Sequence, residues 1–219
     1  MVKIMNKCKI YLVRHGQSLG NVTFTFLGHT DLDLSEMGYL QAEKTAEFLS
    51  DVNFDAVYSS DLLRAFNTAL PNARKRGLPV IARTGLREIF VGEWENMTCA
   101  DIEEKYGDLY RVGWLTKYGE FAFPGGESTV DAGVRFCNEL TAICKENIGK
   151  TILVAAHGAV IRSFWAIILG VEPCDISEKV PFATNASISV AEFDGEKFTP
   201  VSYSSDSHLS EVGITKLAF

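Results

Sequence analysis

CKIYLVRHGQSLGN, residues 8–21, runs from an apolar segment rich in β-formers into a cation, an imidazole and a glycine. Residues 8–13 read as a short buried strand with Arg14, His15 and Gly16 at its exit. Gln17, Ser18 and Asn21 follow, so the strand opens into a polar loop softened by glycine. Such a loop suits holding a phosphoryl group against a nucleophilic histidine. Near the other end, TILVAAHGA, residues 151–159, repeats the design: an apolar strand over 151–156, then His157 and Gly158.

Between these two strands the patterns alternate. Residues 35–51 have helical spacing, with Ser35 as N-cap and Met37, Leu40, Phe48, Leu49 and Val52 as the apolar positions. A strand is expected over 54–58, ending at Ser59 and Ser60, which suit a turn or a cap. Asp61 then opens a helix carrying Leu62, Leu63, Ala65, Phe66 and Ala69, which Pro71 should end or kink. A third strand spans 79–82. Residues 127–147 form a long amphipathic helix with Val130, Val134, Cys137, Leu140 and Cys144 on one side. An apolar helix from about 158 to 169 follows the second histidine strand, and 187–193 with 197–203 read as a terminal hairpin. Short buried strands alternating with helices predict an α/β fold: a mostly parallel sheet with helices on both faces. Residues 90–123 break the rhythm with eight aromatics and no clear β signal. They are expected to form a mostly helical insertion over one end of the sheet, packing chiefly as a satellite core.

The 219 residues suit a single domain, 1–219, containing that insertion. A net charge of −7 with no Lys/Arg-rich run argues against a nucleic-acid surface. It does not argue against an anionic substrate, because a few arginines in a cleft outweigh the average surface. Five scattered cysteines without a CxxC pair predict reduced thiols rather than zinc. The N-terminal stretch MVKIMNKCKIYLV is too short and too broken by lysine for a leader, and no apolar run reaches membrane-spanning length. A cytoplasmic protein is expected. No feature of the sequence specifies an oligomeric state.

In an open parallel sheet, ligands bind beyond the carboxyl ends of the strands. Arg14, His15 and His157 stand at such exits, Arg64 lies one helical turn beyond Asp61, and Glu88 follows the third strand. Two arginines, two histidines and a carboxylate there suggest phosphoryl chemistry. The guanidinium fork matches phosphate oxygens, histidine is a nucleophile, and a carboxylic acid protonates a leaving oxygen.

These residues resemble the histidine phosphatase superfamily, the group that includes cofactor-dependent phosphoglycerate mutase. The matching blocks run in order: LVRHGQSLGN (12–21), GHTDLDLSEMGYLQA (28–42), YSSDLLRAFNTA (58–69), LREIFVGEWEN (86–96), FPGGES (123–128) and AAHGAVIR (155–162). The RHGQS and HGA forms look like the mutase and small-phosphatase branch. The resemblance implies that His15 becomes a phosphohistidine and that Arg14, Arg64 and His157 clamp the phosphoryl oxygens. It implies Glu88 as proton donor and then base, with Glu93 and Glu95 as its rivals in the same stretch. Asn21 would contact phosphate, Gly28 would approach the substrate, and Gln17, Ser18 and Gly158 complete the expected binding set. Ser18 suits a helix cap as well. His29 and His208 are given no role. The chain departs from the family pattern at Asn67, at Asn96 in place of a usual glycine, and in lacking a frequent proline at 32–34. No metal and no cofactor is implied, and the partner is a small phosphomonoester.

Of the two activities, the residues favour hydrolysis. The mutases carry a different insertion, with paired arginines for a substrate carboxylate. Here 90–123 offers only Lys105, Arg111 and Lys117 as cations, so monophosphates with bulky or apolar groups are expected. A non-catalytic phospho-ligand binder would be expected to have lost His15 or Glu88, and both are present.

Overall fold

β1 (Cys8–Arg14) and β4 (Thr151–Ala156) are buried along almost their whole length, as strands covered on both faces must be. They lie at the centre of a six-stranded sheet with β2 (Ala56–Ser59), β3 (Val80–Ala82), β5 (Ile188–Phe193) and β6 (Phe198–Ser205), in the order β3-β2-β4-β1-β5-β6. The pairs from β3 to β1 are parallel, and β5 and β6 add antiparallel to that edge as the expected hairpin. The computed structural model describes residues 6–215. Residues 1–5, part of the stretch read as no leader, lie outside the described residues, as do 216–219.

Side chains alternate across the sheet. Ile10, Leu12, Ile152 and Val154 join one core with α5 (Thr129–Glu146), α6 (Gly158–Leu169) and the insertion. Val13, Val57, Leu153 and Ala155 join a second core beneath α2 (Glu36–Phe48) and α3 (Leu63–Arg76). Helices therefore cover both faces, as the pattern predicts.

Several expectations need correction. The buried face of α2 is Gln41, Ala42, Thr45 and Ala46, whereas Leu40 and Phe48 are exposed. Phe48 stacks on His208 instead, with ring centroids 5.0 Å apart. On α5 the buried stripe is Ala132, Gly133, Phe136, Leu140 and Ile143, while Val130 and Val134 are exposed. Close approach of α6 sets that face: a Cβ on Gly133 would lie 2.7 Å from the Ser163 Cβ. α3 opens at Leu63 rather than Asp61, whose carboxylate is drawn off by a two-pronged pair with Arg87. The helix also does not end at Pro71. It continues to Arg76, which bonds back to the Leu49, Val52 and Asn72 carbonyls, and stops at the left-handed Gly77. One missing backbone donor is outweighed by burial of Ala65, Ala69 and Ala73.

The insertion is helical, with a 3-10 turn at Gly92–Trp94, α4 (Cys99–Tyr106), a π-helical segment at Leu109–Trp114 and a second 3-10 turn at Tyr118–Glu120. Asn96, where a glycine is usual, adopts φ 63°, a left-handed conformation that asparagine tolerates. Its aromatics are not a satellite core. Trp94 and Tyr118 are fully buried in the same cluster as Phe136 and Phe164. Phe26 and Phe123 pack edge-on to Trp94 at 5.5 and 5.2 Å. Trp94→Ala should therefore cost the whole protein about 3–5 kcal/mol, measured by denaturant unfolding. A loss near zero would mean that the insertion packs independently of the sheet.

Candidate active site

Parallel pairing of β1 with β4 sets Arg14 opposite Ala156, and the His15 amide donates to the Ala156 carbonyl at 2.9 Å. The next residues, His15 and His157, therefore lie side by side, with ring centroids 5.3 Å apart. β2 ends at the same level, with Ser59 opposite Ala155, and delivers α3 and Arg64 to the same end of the sheet.

Backbone carbonyls hold His15, Arg14 and Arg64. His15 Nδ1 lies 2.7 Å from the Gly16 carbonyl oxygen. A carbonyl only accepts, so Nδ1 carries the hydrogen and the neutral ring keeps its lone pair on Nε2. Arg14 donates to the Ala183 carbonyl at 2.5 Å, and its Nε is buried without a partner. Arg64 donates to the carbonyls of Gly28 and Thr30 at 2.7 and 2.8 Å. Both nitrogens of the fully buried His157 lack partners. Asn21 Oδ1 accepts from the Ser18 amide and hydroxyl and from Asn185 Nδ2, which leaves the Asn21 amide nitrogen as its donor.

Arg14, His15, Arg64 and Glu88 line one cavity, together with Ser18, Asn21, Gly28 and Gly158. His157 lies against His15 without being part of that lining. Gln17 is also outside it: its side-chain oxygen accepts from Ser35 at 2.7 Å and its amide donates to Gln41, so it braces α2. Ser18 caps α1 (Leu19–Val22) in a reciprocal pair with Asn21. Gly158 leaves room for a guanidinium, since a Cβ there would lie 3.0 Å from Arg14 Nε.

Glu88 reaches the N-terminus of α6. Its Oε1 accepts from the Val160 and Ile89 amides, and its Oε2 from Ala159 alone at 3.1 Å. A carboxylate oxygen has two acceptor sites, so Oε2 retains the capacity to carry a proton. The rivals are occupied elsewhere. Glu95 accepts from the His29 and Thr30 amides and the Thr30 hydroxyl, and the exposed Glu93 accepts from Tyr106.

The Histidine phosphatase superfamily (branch 1) sequence profile matches residues 10–213. The chain belongs to that superfamily.

Among its relatives, phosphoserine phosphatase 1 of Hydrogenobacter thermophilus is 33% identical, over 93% of this chain and 95% of that protein. A 2,3-bisphosphoglycerate-dependent phosphoglycerate mutase of Cytophaga hutchinsonii is 31% identical, over 81% and 84%. The structure of a mycobacterial glucosyl-3-phosphoglycerate phosphatase complexed with VO3 superposes with a TM-score of 0.83 at 28% identity, covering 90% of this chain and 99% of that one.

Sequence reasoning missed the contacts that hold these side chains in place. Thr68 accepts from the Gly16 amide at 2.9 Å, and Asn185 donates to the His15 carbonyl at 3.0 Å. Arg135 on α5 donates to the carbonyls of Gly85, Arg87 and Glu88 and pairs with Glu127, tying down the segment that carries Glu88. His29 Nε2 approaches the same Glu88 carbonyl at 2.9 Å. These are contacts between segments far apart in sequence. A polar TNAS, residues 184–187, just before a strand was the one local signal.

Burial is the main cause that pushes His15 and His157 well below the usual imidazole range. For His15 the nearby charges of Arg14 and Arg64 add to it, and for His157 those of Arg64 and Arg14. Burial also lowers Arg14 and Arg64 to about 10, against the opposing pull of Glu88, so both stay cationic at neutral pH. Both histidines are thus neutral in the fold at pH values where the unfolded chain is already protonated. Below about pH 6.5 unfolding takes up protons, and stability should fall as pH drops toward the folded values. At one pH unit below 6.5 each histidine should cost up to about 1.4 kcal/mol. The half-buried His208 acts in the same direction. Thermal melts at pH 7.5 and 5.5 should show this slope, and His15→Asn should flatten it. Stability that rises on acidification would contradict the buried, neutral pair.

Proposed function

We propose that the chain hydrolyses phosphate monoesters through a phosphohistidine on His15. The observation that carries the reading is the His15 Nδ1 contact with the Gly16 carbonyl, which leaves Nε2 nucleophilic in a cavity lined by Arg14, Arg64 and Glu88. Nε2 attacks phosphorus, a P–N bond forms, and the ester P–O bond breaks as Glu88 Oε2 gives its proton to the leaving alkoxide. Water then loses a proton to Glu88 and attacks phosphorus, the P–N bond breaks, and phosphate leaves. Arg14 and Arg64 offset the equatorial oxygen charge in both steps, and the neutral His157 adds one N–H donor beside His15. These fixed donors fill the role that a divalent ion has elsewhere, so the reaction should need none.

Two further points belong to this reading. The whole chain acts as one catalytic unit, supported by the insertion sharing the sheet's core. A reducing, cytoplasmic setting is supported by five cysteines that all remain free thiols. A mutase is the second reading, favoured by the relative from Cytophaga hutchinsonii. It differs in the acceptor: transfer to 3-phosphoglycerate outpacing release to water would establish it.

The test of Glu88 lies in the leaving group. An alkoxide needs a proton in the transition state, whereas p-nitrophenolate leaves without one, and general-acid help is worth roughly 10²–10⁴. In single turnovers run in EDTA, Glu88→Ala should slow phosphoenzyme formation from an alkyl phosphate by about that factor, with far less effect on p-nitrophenyl phosphate. Equal losses on both substrates would remove Glu88 as the acid. Failure of the wild type to turn over in EDTA would remove the metal-free mechanism.

A further inference from the structure

Asn185 is buried, and its amide nitrogen faces three acceptors of the nucleophile loop: the His15 carbonyl at 3.0 Å, the Gly16 carbonyl at 3.3 Å and Asn21 Oδ1 at 3.1 Å. The Gly16 carbonyl is the one that sets the His15 tautomer. With two lone pairs it accepts from His15 Nδ1 and from Asn185 together. The other end of the same peptide is held as well, because the Gln17 amide donates to Oε1 of the buried Gln41 at 2.8 Å. One hydroxyl joins Gln41 to Asn185: Thr215 Oγ1 accepts from Gln41 Nε2 at 3.2 Å and donates to Asn185 Oδ1 at 3.1 Å.

These bonds close into a ring. Asn185 donates to the Gly16 carbonyl, the Gln17 amide of the same peptide to Gln41, Gln41 to Thr215, and Thr215 back to Asn185. Every donor points the same way round, an arrangement in which neighbouring hydrogen bonds strengthen one another. Turning the Asn185 amide would face its oxygen to three other oxygens. Turning that of Gln41 would face its amino group to the Gln17 amide. The backbone beside Asn185 is strained to match. Ala186 is buried at φ 56°, a left-handed conformation that alanine rarely takes, and its amide donates to the His15 carbonyl at 3.1 Å. Such strain persists where the surroundings over-determine it, and it clusters at functional sites.

We propose that Asn185, Gln41 and Thr215 are positioning residues for His15: their ring fixes the peptide between Gly16 and Gln17, and through it the Nδ1–H tautomer that leaves Nε2 free to attack. The proposal rests on the hydrolase reading above. None of the three lines the cavity, so they act through His15 rather than on the substrate. Their loss therefore falls on the nucleophile, whatever the leaving group.

The test compares wild type, Asn185→Ala and Thr215→Val by two readouts. One is single-turnover phosphohistidine formation from an alkyl phosphate and from p-nitrophenyl phosphate. The other is the nitrogen NMR signals of the His15 imidazole, which distinguish Nδ1–H from Nε2–H without any turnover. Asn185→Ala should slow phosphohistidine formation by up to about 100-fold on both esters alike, as a misplaced nucleophile does. It should also turn a single His15 tautomer into a mixture. Thr215→Val keeps the shape of a half-buried side chain, and it decides the matter if Asn185→Ala does not fold. Loss of its hydroxyl should act in the same direction on both readouts, slowing the step by roughly 2- to 10-fold. A rate constant or a tautomer unchanged in the folded variants is what a role in stability alone gives. That result would overturn the proposal and leave the hydrolase intact. So would a loss confined to the alkyl ester, the signature expected of Glu88. No phosphohistidine in the wild type from either ester would overturn the hydrolase reading itself, and this proposal with it.

Discussion

Arg14 faces Ala156 across the parallel pair β1 and β4, and the site depends on that register. It carries His15 and His157 to the same level, from segments separated by most of the chain. β2 stops level with them and turns into α3, which supplies Arg64. A slip of one residue would reverse which side of the sheet each side chain faces and would part the two histidines. The apolar positions on both faces of β1 and β4 make such a slip costly, because Ile10 and Leu12 belong to one core and Val13 to the other. The same burial that fixes the register thus aligns His15 with His157.

Concentrating cations in a buried place is electrostatically adverse, and the fold offsets it with backbone dipoles. Carbonyls of Ala183, Gly28 and Thr30 take the arginine donors, and Glu88 supplies the opposing charge. Glu88 is itself placed by the first amides of α6. What remains unpaired is Arg14 Nε and both nitrogens of His157. Leaving such groups buried and unbonded costs about 1–3 kcal/mol each, a cost that a phosphoryl oxygen bound beside them would relieve under the proposed mechanism.

The strand exits were legible because residue type and order are local: CKIYLVRHG and TILVAAHG each announce a buried strand ending in a histidine. The parallel sheet and the terminal hairpin followed from the same local cues. Helix faces were less legible. Apolar periodicity picked Leu40 and Phe48 on α2, and Val130 and Val134 on α5, yet the packed faces are chosen by small residues that permit close approach, such as Ala42, Ala46 and Gly133. Gln17 reads as a ligand contact from its neighbourhood, but its bonds to Ser35 and Gln41 are long-range and silent in sequence. Asn185 and Arg135 escaped notice for the same reason. Their partners lie in segments that only the fold brings near.

His15, held through Nδ1, is proposed to attack with Nε2. The most direct measurement is identification of the phosphoenzyme, trapped by rapid quench at alkaline pH and mapped by mass spectrometry and phosphorus NMR. One phosphoramidate is expected, on Nε2 of His15 and absent from His15→Ala. Phosphate on Nδ1, on His157 or on an oxygen or sulfur nucleophile would contradict it.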